Sequence, residues 1–186
     1  MDLKINDKKD EGDIKNGFEY LGYQIFPNFI TVRRSSILKI EQSIEDLFRR
    51  VNNAQYLEWK LNLRITGFIL NNHKYGWIFF YSQITDKSLL FHLDEVVKKL
   101  VKRYNLSSKI KVKRFVRAYM ELRQALHSTH YIPNLDNYTL DDKRNLLTEI
   151  YRMDLTGINN EKIEILFRKI LAKEIRDIEK DIQNIS

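Results

Sequence analysis

The sequence predicts a mainly α protein with a small N-terminal β-hairpin, an α+β arrangement in which a helical bundle follows the hairpin. Three observations predict it. Residues 18–26 alternate, with Phe18, Tyr20, Gln24 and Phe26 set against Glu19, Leu21, Tyr23 and Ile25, the period of a strand. From Ile37 onwards apolar residues recur at helical spacing in several long stretches. The length of 186 residues, with 43% hydrophobic and 12% aromatic content, suits a folded chain able to bury roughly 70% of its unfolded surface.

The elements follow in order. Residues 1–16 are polar, and 10–16 read as a loop. The first strand contains Gly22, a residue that within a strand marks close backbone approach. Pro27-Asn28 supplies a turn, and Ile30-Thr31-Val32 is the β-branched return strand. Ser35 or Ser36 can cap a helix whose stripe is Ile37, Ile40, Ile44, Leu47, Phe48 and Val51, ended by Asn52-Asn53. Tyr56 to Ile65 reads as a helix. Beyond it, Gly67, Asn71-Asn72 and Gly76 break the pattern. Phe68–Leu70 and Trp77–Tyr81 are either two strands, or Trp77, Phe80, Tyr81 and Ile84 form a helix face; the reading leans towards helix. Asp86 caps a helix carrying Leu89, Leu90, Leu93, Val97, Leu100 and Val101. Its C-terminal cations suit the helix dipole. Ser107 or Ser108 caps a further helix from about Lys109 to His127. Tyr131 to Tyr138 is a loop. Thr139 caps a short helix with Asp142 as capping-box partner. Asn159 or Asn160 opens a final amphipathic helix to about Asn184.

Composition narrows the function. The chain has no cysteine, which excludes disulfides and thiolate zinc sites. No segment approaches the ~18 consecutive apolar residues of a membrane span, and the charged N-terminus is no secretory signal, so a cytoplasmic location is expected. The net charge of +7 and pI near 9.4 favour a polyanionic partner. The charge is clustered: from Lys98 to Arg123 there are ten Lys/Arg residues against one acid, Glu121. Tyr104, Phe115 and Tyr119 interleave them. This pattern favours phosphate-backbone contact, against the alternative of a solvated basic helix face.

Two motifs in order carry a family resemblance. The Phe18-x-x-Leu21-Gly22-Tyr23 core and its following turn resemble the primer grip of reverse transcriptases. Upstream, Leu3-Lys4-Ile5-Asn6-Asp7-Lys8-Lys9 resembles the end of the preceding polymerase motif. Downstream, Leu61-Asn62-x-x-Ile65-x-Gly67, Gly76-Trp77-x-x-x-Tyr81 and Leu93-Asp94-x-x-Val97 resemble the thumb of group II intron, retron and related bacterial reverse transcriptases, with extra residues between the Asn and the Gly-Trp. The basic helical extension suits defence-associated members, which act in antiviral defence.

The resemblance implies an end of palm with its primer-grip hairpin at 1–34, a thumb-like helical region at 35–130 and a C-terminal helical extension at 131–186. It implies that Phe18, Tyr20, Leu21, Gly22 and Tyr23 hold the primer's 3′ end. It gives Lys9 (or Lys8) the role of general acid towards the departing pyrophosphate; on its own chemistry that lysine is an ordinary exposed one. Lys98, Lys99, Lys102, Arg103, Lys109, Lys111, Lys113, Arg114 and Arg117 would bind the backbone of an RNA or RNA–DNA duplex. Arg33 and Arg34 are phosphate contacts or plain surface charge.

Polymerase chemistry needs carboxylates that hold two metal ions. The paired aspartates here, Asp141-Asp142, follow Tyr138-Thr139-Leu140, one residue too far from the Tyr for Tyr-x-Asp-Asp, and helix capping explains them better. No metal site or cofactor is therefore expected in this chain, and Mg²⁺ belongs with a catalytic palm supplied by another chain or segment. His127 and His130 lack a third ligand and read as a polar helix end. Gly-rich phosphate loops, Gly-x-Ser-x-Gly and a Cys nucleophile are absent from the sequence. The expected function is a primer–template-binding portion of an RNA-directed DNA polymerase, inactive in isolation. The alternatives are a stand-alone helical RNA- or DNA-binding module, and a protein-interaction subunit docking through its last helix.

Overall fold

The computed structural model describes residues 13–182. Lys9 and the rest of the Leu3–Lys9 motif lie outside the described residues. Three short strands come first: β1 (Phe18–Tyr20), β2 (Tyr23–Ile25) and β3 (Ile30–Val32). They form an antiparallel meander in which Tyr20 pairs with Tyr23 and Ile25 with Ile30. The single long first strand expected from the alternation is thus two. Leu21 and Gly22 turn between them with φ of +47° and +80°, the positive values that a tight hairpin turn demands. Gly22 serves this turn and does not lie inside a strand. The Pro27-Asn28 turn forms as expected, closed by Phe26 N–H donating to the Phe29 carbonyl at 2.9 Å.

Helix α1 (Arg34–Arg50) starts before the serines expected to cap it. Ser36 is buried instead and accepts a hydrogen bond from Arg33 Nε at 3.2 Å. Asn53 does not close α1; its side chain accepts from Tyr56 N–H and so opens α2 (Ala54–Thr66). Helix α2 is apolar on opposing sides. Leu57, Leu61 and Ile65 enter one core cluster, and Leu63 enters a second with Phe68, Phe167 and Leu171. A helix buried on both sides shows little amphipathic stripe.

The ambiguous segment resolves as a hairpin and a short helix. Strands β4 (Phe68–Leu70) and β5 (His73–Tyr75) pair across Asn71-Asn72. Both asparagines take positive φ, +52° and +59°, a conformation that Asn tolerates. Trp77 begins the short helix α3 (Trp77–Phe80), the helical option for that stretch; Trp77 and Ile78 are fully buried. Helix α4 (Lys87–Arg103) follows, capped by Asp86 as expected, whose carboxylate accepts from Ser88 N–H at 3.0 Å.

The helix expected from Lys109 to His127 is shorter. Only α5 (Phe115–Gln124) is helical; Lys109 closes a turn onto the Leu106 carbonyl, and residues 110–114 carry no regular secondary structure. The Thr139–Asp142 capping box is present and opens α6 (Leu140–Asn145), which continues as a π-helical turn over Leu146–Ile150. The last helix, α7 (Asn160–Glu179), is capped by Asn159 and ends before Asn184. The fold is mainly α with small antiparallel sheets. Among the described residues no helix is long and apolar enough to cross a membrane.

Candidate nucleic-acid interface

The basic segment between α4 and α5 is a ribbon held against α2. In the sequence Lys109-Ile110-Lys111-Val112-Lys113 the apolar residues alternate with lysines, and Ile110 is buried while Lys109 and Lys111 are exposed. One side chain replaces a neighbouring strand. Asn62 donates from Nδ2 to the Lys111 carbonyl at 3.0 Å, and its Oδ1 accepts from Lys113 N–H at 2.8 Å. One turn earlier on α2, Glu58 accepts from Lys111 N–H at 2.9 Å. These bonds satisfy backbone groups that a ribbon packed on a helix otherwise leaves unpaired.

The ribbon ends where Asp94 of α4 caps α5. Its carboxylate accepts from Phe115 N–H at 2.6 Å and from Arg114 Nε at 3.1 Å. Burial pushes the Asp94 carboxyl above its ordinary range, outweighing the pull of Phe115 N–H and Arg114. Tyr131 closes the same corner. Its hydroxyl accepts from Arg114 N–H at 2.6 Å, its carbonyl accepts from Lys113 Nζ at 2.6 Å, and the Arg117 guanidinium lies 4.4 Å from its ring centroid. Lys113 is half-buried, and desolvation, with Arg117 adding to it, lowers its ammonium below the ordinary lysine value.

The nine cations of the expected cluster therefore divide by chemistry. Lys98 pairs with Glu95, Arg103 with Glu45, Arg114 with Asp94 and Arg117 with Glu121. Lys113 braces Tyr131. Among the described residues Lys99, Lys102, Lys109 and Lys111 are exposed and make no ion pair. Arg123 is exposed, with its guanidinium donating to the Ser82 carbonyl at 3.4 Å and lying over the Tyr119 ring.

The N-terminal hairpin divides likewise. Phe18, Tyr20 and Leu21 stand exposed at 48%, 61% and 54%. Tyr23 faces the body: its hydroxyl donates to the Phe80 carbonyl at 2.6 Å and its ring meets Tyr81 edge-on at 5.3 Å. Gly22 is buried, and its carbonyl accepts from Arg33 N–H. Arg33 reaches Glu19 at 3.8 Å, while Arg34 is exposed on the first turn of α1. The sheet is moored to α4: Thr31 Oγ1 donates to Asp86 at 2.9 Å, and the Ile30 carbonyl accepts from Thr85 N–H. His127 and His130 are exposed, and no group of three His, Cys, Asp or Glu residues fit to hold a metal occurs among the described residues.

Nothing in the sequence marks Glu58, Trp59 or Tyr131 as functional, and Asn62 and Asp94 stand in motifs that assign them no role. The alternation over 109–113 was the available signal for the ribbon. No family model, curated protein or solved structure matches this chain.

Proposed function

We propose that the chain is the primer–template-binding, C-terminal portion of an RNA-directed DNA polymerase of the bacterial reverse-transcriptase type, with the catalytic carboxylates on a palm supplied by another chain or segment. The observation that supports this is the spacing of two surfaces on one helix. The hairpin with its exposed Phe18, Tyr20 and Leu21 is tied to the N-terminus of α4. Lys98, Lys99, Lys102 and Arg103 occupy the C-terminal turns of the same helix. Seventeen residues at 1.5 Å each separate the ends by about 25 Å, shorter than the roughly 34–36 Å turn of B-form DNA. A single rigid element thus suits a grip on a primer end and on the backbone behind it. An RNA–DNA hybrid offers phosphates and shape for this, with little readable base edge. Holding the 3′ oxygen in line lowers the barrier for chemistry located elsewhere.

The test is binding, followed by fluorescence anisotropy, of an RNA–DNA hybrid with a recessed DNA 3′ end against the same hybrid with blunt ends. The recessed hybrid should bind more tightly, and Tyr20→Ala with Leu21→Ala should abolish that preference while leaving blunt-end affinity unchanged. Equal affinity for both hybrids in the unaltered chain would show a plain nucleic-acid module. DNA synthesis by the pure chain would refute the division of labour.

A further inference from the structure

We propose that the groove between α2 and the ribbon is a subsite for single-stranded nucleic acid, in which one unpaired base stacks on Trp59 and the flanking phosphates rest on Lys109 and Lys111. The inference rests on the proposed primer–template function, since such a substrate carries unpaired template beyond its duplex.

The groove has a volume of about 580 Å³, with Trp59 and Ile110 among its apolar wall residues and Gln55, Ser107, Lys109 and Lys111 among its polar ones. That is the size range of pockets for small ligands, roughly 300–1,000 Å³, and far too small for a duplex. The indole is fixed before any ligand arrives. Trp59 Nε1 donates to the Tyr151 hydroxyl at 3.2 Å, and that hydroxyl donates to Glu174 at 2.9 Å. Glu174 is in turn held by Lys60 Nζ at 2.8 Å. The polar edge of the ring is thereby bound to Tyr151, and the partly exposed ring is left to line the groove. An ordered aromatic wall suits stacking, which accepts every base because every base has a π-face.

The charge agrees. The cations at the two ends of the ribbon line different grooves. Lys109 and Lys111 line the groove with Trp59 and carry no ion pair. Glu58, the acid in this groove, already accepts the Lys111 N–H. A separate groove of about 500 Å³ is lined by Lys98 and Arg114, whose charges are met by Glu95 and Asp94. The uncompensated cations of the ribbon therefore lie beside the tryptophan.

The experiment titrates the whole chain with a short oligothymidylate and follows tryptophan fluorescence. Trp77 is fully buried, so quenching reports Trp59. We expect quenching, and a loss of oligothymidylate affinity of about tenfold in Trp59→Leu. Affinity for a blunt RNA–DNA hybrid should change by less than about threefold, since the groove excludes a duplex. Lys109→Gln with Lys111→Gln should weaken oligothymidylate binding more than hybrid binding, and this second variant keeps the test sound if Trp59→Leu folds poorly. Equal losses for strand and hybrid would overturn the inference. So would quenching by thymidine monophosphate at the same concentration, which would mark a nucleotide pocket. If the hybrid binds and the strand does not, the subsite fails and the proposed function stands. If neither binds, both fail.

Discussion

Gly67 and Gly76 touch backbone to backbone at the base of the β4–β5 hairpin. A Cβ on Gly76 would sit 2.7 Å from the Gly67 Cα, and one on Gly67 would sit 2.3 Å from the Tyr75 carbonyl oxygen. Both residues take positive φ, +63° and +124°. The contact sets the chain direction so that Trp77 enters the core fully buried beside Tyr81, with ring centroids 4.8 Å apart. Gly76→Ala should therefore destabilise the fold by about 2–4 kcal/mol, from strained backbone and from overpacking against backbone that cannot yield. Gly157, with φ of +69° and nothing within 4 Å of a built Cβ, provides the comparison. Gly157→Ala should cost only the strain, about 1 kcal/mol. Urea denaturation of both variants checks this, and equal losses would mean that close approach at Gly76 is unimportant. From the sequence the two glycines are legible as breaks. Their pairing is not, because it depends on an antiparallel turn at Asn71-Asn72 whose strands are too short to show a period.

The cap of α4 couples a helix to a sheet. Asp86 accepts from Ser88 and from Thr31 of β3, so one carboxylate orders both elements. Burial pushes its pKa up, yet hydrogen bonds from Ser88 and Thr31 outweigh this and hold the carboxyl below its ordinary value. A carboxylate with a lowered folded-state pKa stabilises fully above the ordinary range and loses that contribution as pH falls through it. Melting temperature should thus drop between about pH 5 and pH 3 more steeply in the unaltered chain than in Asp86→Asn, since carboxylate pKa values lie near 4. Parallel slopes would show that the cap carries no ionic share. This cap was legible in the sequence, as were the long helices α4 and α7, because a capping residue and several turns of apolar stripe coincide. The ribbon was not. Its lysines continue the charge of α4, and its ladder partner is the side chain of Asn62 in place of a strand. The split of the basic cluster into paired and unpaired cations was hidden for the same reason, since Glu45, Asp94 and Glu95 reach it from α1 and α4.

Helix α2 joins the two halves of the molecule. The charge–charge contacts of α2 with α7 and the turn after it include buried ones. Lys60, 7% exposed, meets Glu174 at 2.8 Å and Asp177 at 3.1 Å, and Arg64 meets Asp181 at 2.6 Å. Asp181 also accepts from Ser43 of α1 at 2.5 Å, tying α1 and α2 to the turn that follows α7. The loop after α5 makes a second seam: the Pro133 carbonyl accepts from Ile69 N–H, and Asp136 accepts from Asn71 and Asn72 N–H. Residues 131–182 are therefore built onto α2, the helix that holds the ribbon, and onto the β4–β5 hairpin. Losing one partner of a buried ion pair leaves the other charge uncompensated, which costs about 3–5 kcal/mol, whereas replacing both with apolar groups is close to neutral. Lys60→Met should lower the unfolding free energy by that amount in urea, and Lys60→Met with Glu174→Leu should recover most of it. A chain ending at residue 130 strands Lys60 and Arg64 and uncovers Leu63 and Phe68. It should lose the cooperative transition that circular dichroism records for the whole chain. A truncated chain that still melted sharply would show that residues beyond 130 are an appendage, and that the interface on α4 and the ribbon is stable without them.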